Sequence, residues 1–275
     1  MIQPMMHGLA LRAAMLDATQ GAHFWWLGQS GFLVRVDGAT LLFDPYLSDA
    51  LTEKYATTDK PHQRMTAIAI DAAQLDFVDV VTSSHNHTDH LDAATLRPLI
   101  GANPALKMVA PAANLEFVAQ RLGERLPALV GLNDGETVTV AGWEISAVPA
   151  AHETLQTDAT GRHKFLGFVA RRGGLTFYHS GDTVPYPGMA EKLRPFGVDV
   201  ALLPINGRLP QRRVDGNLWG REAAQLAHDI GARLAVPCHY EMFKFNTETP
   251  EEFVAECRRL GQPFRVVRCG EHVTL

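Results

Sequence analysis

The sequence predicts an α/β (α+β) fold of two sheets with helices on the outside. Three observations carry this. Apolar runs joined by tight-turn residues open the chain, short apolar strands then alternate with amphipathic helices, and the polar clusters fall just after strands. Residues 1–22 read as an N-terminal extension with a short helix around Leu9–Ala18. Phe24–Leu27 and Phe32–Val36 pair as a hairpin, and Asp37-Gly38 leads into Leu41–Phe43, Asp-Gly between apolar runs being a tight-turn signal. Asp44-Pro45-Tyr46 ends that unit. Residues 47–70 are polar and irregular and read as a long loop, a kind that often serves as a lid.

Phe77–Thr82 reads as a short buried strand. A helix follows around Ala93–Ile100, then a strand at Met108–Ala110 and a helix from Asn114 to near Gly123. After the turn Asn133-Asp134-Gly135, Thr137–Val140 pairs with Trp143–Val148, and Phe165–Arg171 pairs with Leu175–His179. Val198–Leu203 and Leu234–Val236 are strand-like, and Arg221–Ile230 is an amphipathic helix stopped by Gly231. Thr249-Pro250-Glu251-Glu252 reads as a capping box with Pro at the first helical position. Its helix carries Phe253, Cys257 and Leu260 on one face. No linker, low-complexity segment or obvious repeat intervenes, so residues 1–275 read as one domain.

The chain has 275 residues, 46% hydrophobic and 20% charged, with a formal charge of −5. This is an ordinary globular composition. It lacks the basic footprint that nucleic-acid binding wants, so no nucleic-acid partner is expected. Three cysteines, Cys238, Cys257 and Cys269, are too few and unpatterned for a disulfide framework. No stretch is long and apolar enough to span a membrane. Met1–Leu11 is broken by Pro4, His7 and Gly8 and does not read as a signal peptide. The expectation is a cytoplasmic protein with a small-molecule substrate and no membrane partner.

The chemistry concentrates in Ser84-His85-Asn86-His87-Thr88-Asp89-His90. His85 and His87 share a face of an extended segment, and Asp89 and His90 sit just past them, where a turn can aim them at a second metal. Imidazole and carboxylate together suit zinc, manganese or iron. A two-metal site needs further ligands and a bridging carboxylate. Three candidates each follow an apparent strand: His152, Asp182 and His239. A rigid strand end is a good place to hold a ligand.

This order, His-x-His-x-Asp-His, then His, Gly-Asp and His, resembles the metallo-β-lactamase superfamily over nearly the whole chain. The resemblance implies an αββα sandwich of two mixed sheets flanked by helices. It also implies that His85, His87 and His152 hold one divalent ion, that Asp89, His90 and His239 hold a second, and that Asp182 bridges. Trp26–Phe32, Leu203–Arg208 and His239–Phe243 resemble the branch containing L-ascorbate-6-phosphate lactonase. That branch implies opening of a sugar-derived, phosphorylated lactone, with zinc or manganese and a homo-oligomer. Ser84-His85-Asn86-His87 is also similar to phospholipase-D-like members, so a phosphodiesterase or nuclease is the alternative.

The expected reaction is hydrolysis, with two metals lowering the pKa of a shared water and Asp89 and Asp182 as catalytic carboxylates, Asp89 shuttling a proton to the leaving group. Asp44 either hydrogen-bonds a ligand imidazole and fixes its tautomer or caps a turn. His179 is a candidate to stand behind the ligands. Arg208 is a candidate to grip a phosphate through its bidentate fork. Asn206 and Tyr240 are candidate donors to an oxyanion. His62, Gln63 and Arg64 are candidates to close over the cleft.

Overall fold

The computed structural model describes residues 1–275. Helix α1 (Gly8–Asp17) buries Leu11 and Met15, so the segment read as an extension contributes to the core. Strands β1 (Ala22–Gly28), β2 (Gly31–Val36) and β3 (Ala39–Phe43) form an antiparallel meander. Asp37 and Gly38 turn it with φ of 46° and 81°, the left-handed pair that matches the twist of a hairpin. Helix α2 (Ala50–Lys54) occupies part of the segment read as loop. Then β4 (Val80–Thr82), α3 (Ala93–Ala102), β5 (Lys107–Pro111), α4 (Leu115–Leu122) and β6 (Ala128–Leu132) extend the sheet with parallel strands.

The second half follows the same plan. Strands β7 (Thr137–Val140), β8 (Trp143–Pro149), β9 (Leu166–Arg172) and β10 (Leu175–His179) are antiparallel. After α5 (Met189–Leu193), strand β11 (Val200–Pro204), helix α6 (Gly220–Asp229) and strand β12 (Leu234–Cys238) continue it in parallel. Helix α7 (Glu251–Leu260) and β13 (His272–Thr274) bring the chain back beside β1. The sheets run β13-β1-β2-β3-β4-β5-β6 and β12-β11-β10-β9-β8-β7. One continuous core joins them, with Phe24, Leu33 and Val81 from the first and Ile145, Phe177 and Leu202 from the second. The result is two mixed sheets flanked by helices.

Several local expectations shift. Strand β4 begins at Val80, because the backbone of Val78 is already bonded to the Asn103 side chain. Strand β6 lies outside the expected elements although Ala128–Leu132 is an apolar run; β13 has only three residues and α5 is a single turn, too short to mark an element. The capping box is not formed: Pro250 stands at the cap position of α7 and no side chain bonds there.

The topology decides where functional groups gather. Strands β1 and β3 are both antiparallel to β2, and β4 is parallel to β3. Their C-terminal ends therefore share one edge of the first sheet. The same logic puts the ends of β8, β10 and β12 on one edge of the second. The two edges are stitched together: Leu166 N donates to Ser84 O at 3.0 Å and His239 N to Gln29 O at 2.9 Å.

Gly220 opens α6 where α7 crosses it. A Cβ there would sit 2.6 Å from Phe253 N and 3.2 Å from Glu252 Cβ. Gly220→Ala must push the two helices apart. The expected cost is about 1–3 kcal/mol, seen as a lower urea midpoint; an unchanged midpoint would show that the helices separate freely.

Candidate metal centre

His85–His90 follow β4, His152 follows β8, Asp182 follows β10 and His239 follows β12. Two groups result. His85, His87 and His152 bring one ligand atom each within 4.8 Å of the others, and Asp89, His90, Asp182 and His239 do the same. Asp182 stands between them. Its Oδ1 lies 3.2 Å from His90 Nε2, and its Oδ2 lies 3.3 Å from His239 Nε2 and 3.7 Å from His152 Nε2.

Outward hydrogen bonds orient the rings. His90 Nδ1 donates to Asp44 Oδ2 at 2.8 Å, and His152 Nδ1 donates to Gly216 O at 2.9 Å. His85 Nδ1 lies 3.0 Å from Ser84 Oγ, whose own proton goes to Asp44. Thr82 Oγ1 and Ser84 N also donate to Asp44. With Nδ1 engaged outward, Nε2 of these rings is left for the centre, as in metal-bound histidines. His85 Nε2, His90 Nε2 and Asp182 Oδ1 are buried without any hydrogen-bond partner. Leaving such atoms unpaired costs about 1–3 kcal/mol each. Five imidazoles and two carboxylates fit a zinc, manganese or iron ion, so the residues present suit the implied metals.

Charge follows the same geometry. Burial works against a proton on His90, but the carboxylates of Asp182 and Asp89 outweigh it and raise its pKa well above the usual value. Burial is likewise overcome at His239, where Asp182 lifts the pKa to about 9. His85 is pushed well below the usual range by burial and by the neighbouring imidazoles of His90 and His87. Burial opposes charge on Asp182, yet His239 and His90 hold it well below the ordinary carboxylate value. Cation binding is therefore linked to proton release at the second group far more than at His85.

The backbone is strained here to make these placements. Gln29, Asp44 and His239 have φ of 49°, 36° and 61°, a conformation that non-glycine residues keep only where surroundings enforce it. Gly181, at φ +60°, is required because a Cβ would sit 2.6 Å from Ser84 Cβ. It lets the Asp182 turn close on the histidine segment.

The structure thus brings Asp44 and all seven candidate ligands together. His179 is buried near them, its Nε2 donating to Ser30 O at 2.8 Å and its ring stacked on Phe43, but it joins neither ligand group. Asn206, Arg208 and Tyr240 do not line the cleft above the site. Asn206 donates to Asn246 Oδ1, and the Tyr240 hydroxyl donates to Val267 O. Arg208 is held in a two-point pair with Glu222, both contacts 2.7 Å, which satisfies the fork that a phosphate would need. Arg64 turns inward to Asp49 and Ser48, whereas His62 does face the cleft.

Two neighbours escaped the sequence reading. The Gln29 amide donates to Asp89 Oδ2 at 2.7 Å and lies 3.1 Å from His239 Nε2. Its only signal was a polar side chain in a glycine-flanked turn. Phe165 backs the first group, 5.1 Å from His85 and 5.6 Å from His152 between ring centres; in sequence it reads as an ordinary core residue.

Two outcomes follow from these contacts. Asp44→Asn weakens the orientation of His90, and metal affinity falls about 10–100-fold in competition with a chromogenic chelator; unchanged affinity would reduce Asp44 to a turn cap. For Glu222, burial opposes ionisation, but the Arg208 hydrogen bonds and the Trp219 N–H hold its pKa below 4.5. A depressed carboxyl stabilises the fold above its unfolded pKa and loses that contribution as pH falls. The stability gap between the wild type and Glu222→Gln is therefore widest near neutrality and closes as pH drops below about 4.5. A gap independent of pH in urea melts would show that the ion pair contributes nothing.

Comparison with known proteins agrees with this fold. The sequence pattern of the Beta-lactamase superfamily domain matches residues 39–240. A UPF0173 metal-dependent hydrolase of Opitutus terrae is 32% identical, across 90% of this chain and 97% of that protein. Among solved structures, Igni18, a metallo hydrolase from Ignicoccus hospitalis, is 25% identical with a TM-score of 0.68, covering 92% of this chain and 98% of that one. A possible metal-dependent hydrolase from Veillonella parvula, at 15% identity, shares the fold with a TM-score of 0.73 over 93% of this chain and 100% of its own. With the fold, the matched segment and the hydrolase relatives in agreement, this chain belongs to the metallo-β-lactamase superfamily as a metal-dependent hydrolase.

Proposed function

We propose that His85, His87 and His152 hold one divalent ion and Asp89, His90 and His239 a second, with Asp182 bridging. The proposed reaction is hydrolysis of a small, sugar-derived lactone, phosphorylated or free. The position of Asp182 carries the two-ion reading, since its two oxygens face imidazoles of both groups. Zinc or manganese, or iron, bound there would lower the pKa of a water toward neutrality and polarise the attacked carbonyl.

The chain's own residues supply the rest. Gln29 pins Asp89 Oδ2, which fixes that carboxylate at the cleft floor. Asp89 is the more exposed of the two site carboxylates, its side chain 16% accessible against 5% for Asp182. That exposure suits it to pass a proton to the leaving oxygen. The cleft has a volume of about 350 Å³ and is lined chiefly by polar groups, including Asn86, Asn217, Lys54 and Arg213. Such a space fits a small polar molecule, and the two cations suit an anionic one. With Arg208 engaged by Glu222 and Arg213 paired with Asp59, Lys54 is the cleft cation that takes over the candidate phosphate-binding role.

The test is metal content combined with turnover of D-glucono-1,5-lactone and of bis(p-nitrophenyl) phosphate. The expected result is near two ions per chain and lactone opening. Asp182→Ala should lose an ion and drop turnover beyond the roughly 100-fold typical of an outer-shell change. Undiminished turnover with both ions retained would remove Asp182 from the bridge. Turnover of the diester alone would reassign the enzyme to phosphodiester hydrolysis.

A further inference from the structure

His62 lines the same cleft but belongs to neither ligand group. Its ring is fixed on several sides. Tyr55 stacks on it at 4.1 Å with planes 18° apart, and Phe245 and Phe243 meet it edge-on at 4.5 and 5.3 Å. His62 Nδ1 lies 3.1 Å from Lys60 O. A carbonyl only accepts, so Nδ1 carries the proton. The residue is 9% exposed, and burial lowers its pKa, so the ring is neutral at neutral pH.

Nε2 therefore presents a lone pair. No group of the chain donates to it, and it is not among the sealed polar atoms without partners. It is an open acceptor on a fixed ring, and the residue lines the cavity that holds the metal ligands. Tyr55, Phe243 and Phe245 line the same cavity beside it. An acceptor set in apolar surface complements a carbon ring that bears a donor group, the few placed polar atoms of a pocket giving its specificity.

We propose that His62 Nε2 accepts a hydrogen bond from a hydroxyl of the bound substrate and so selects hydroxylated lactones over bare ones. The choice of a hydroxyl as donor rests on the lactone reading above. The discrimination arises because a site built to bond a hydroxyl is left with an unpaired polar group when an analogue lacks it.

The test uses the full chain loaded with zinc and two ring-opened acids as probes, D-gluconate and 5-hydroxypentanoate. The second carries no hydroxyls along its chain except the terminal one. Affinities are read by calorimetry, and the 15N shift of His62 Nε2 is followed by NMR. Gluconate should move the Nε2 signal in the wild type. His62→Phe keeps the aromatic packing and removes the lone pair, and gluconate should bind at least tenfold more weakly. His62→Gln, which keeps an acceptor oxygen, should recover part of that loss. The affinity of 5-hydroxypentanoate should be the same in all three proteins.

Equal gluconate affinity in the wild type and His62→Phe would overturn the assignment. So would equal losses for both probes, or no gluconate binding to the wild type. Zinc content and the urea midpoint of each variant identify misfolding, in which case His62→Gln decides. If gluconate binding depends on His62 while no lactone is turned over, the lactonase reading and the selection among lactones fall, and the hydroxyl-to-His62 hydrogen bond stands. If lactone turnover is normal and gluconate affinity ignores His62, the reverse holds.

Discussion

The imidazole of His90 is held between two buried carboxylates, and the rest of the site depends on it. Its Nδ1 donates to Asp44 and its Nε2 faces Asp182 at 3.2 Å. Asp44 comes from the end of β3, His90 from the segment after β4 and Asp182 from the end of β10. This one ring therefore ties the two sheets together through charge. Sealing a lone carboxylate from water costs several kcal/mol. Asp44 offsets this with four donors, from Thr82, His90 and the backbone and hydroxyl of Ser84. Asp182 has imidazoles and the Asp89 carboxylate beside it, and one oxygen without a hydrogen bond. Asp44 is thus satisfied by the fold, and Asp182 is the carboxylate left available to a cation.

Much of this was legible in the sequence because it rests on short-range pattern. The meander of β1 to β3 was written in Asp37-Gly38 and the apolar runs on either side. The histidine segment showed itself by spacing, and His152, Asp182 and His239 by their places after strands. Asp44 was legible as one of two roles, and its bond to His90 joins the segments that follow two adjacent parallel strands.

What was not legible depends on contacts between distant segments. Arg208 looked free because Glu222, its partner, lies on the next helix and reads there as an ordinary helical charge. Tyr240 looked like a catalytic donor because nothing local shows that its hydroxyl donates to Val267 O. Gln29 reached the site through a left-handed backbone that only the packed structure enforces. Strand β13 was missed because three residues carry too little pattern to mark a strand, and only its pairing with β1 defines it.

The two halves share one architectural plan, and the site lies on the seam between them. His85, His87, Asp89 and His90 come from the first half, and His152, Asp182 and His239 from the second. Each meander can form from neighbouring residues, whereas the seam joins groups far apart in the chain, Ser84 with Leu166 and Gln29 with His239. Contacts of that separation pay their loop-closure entropy before they yield any stabilisation, and they form slowly. During synthesis, the ribosome releases the four ligands of the first half long before His239 emerges. A nascent chain thus carries only a fragment of the centre, and hydrolytic competence arrives with the final docking of the two sheets.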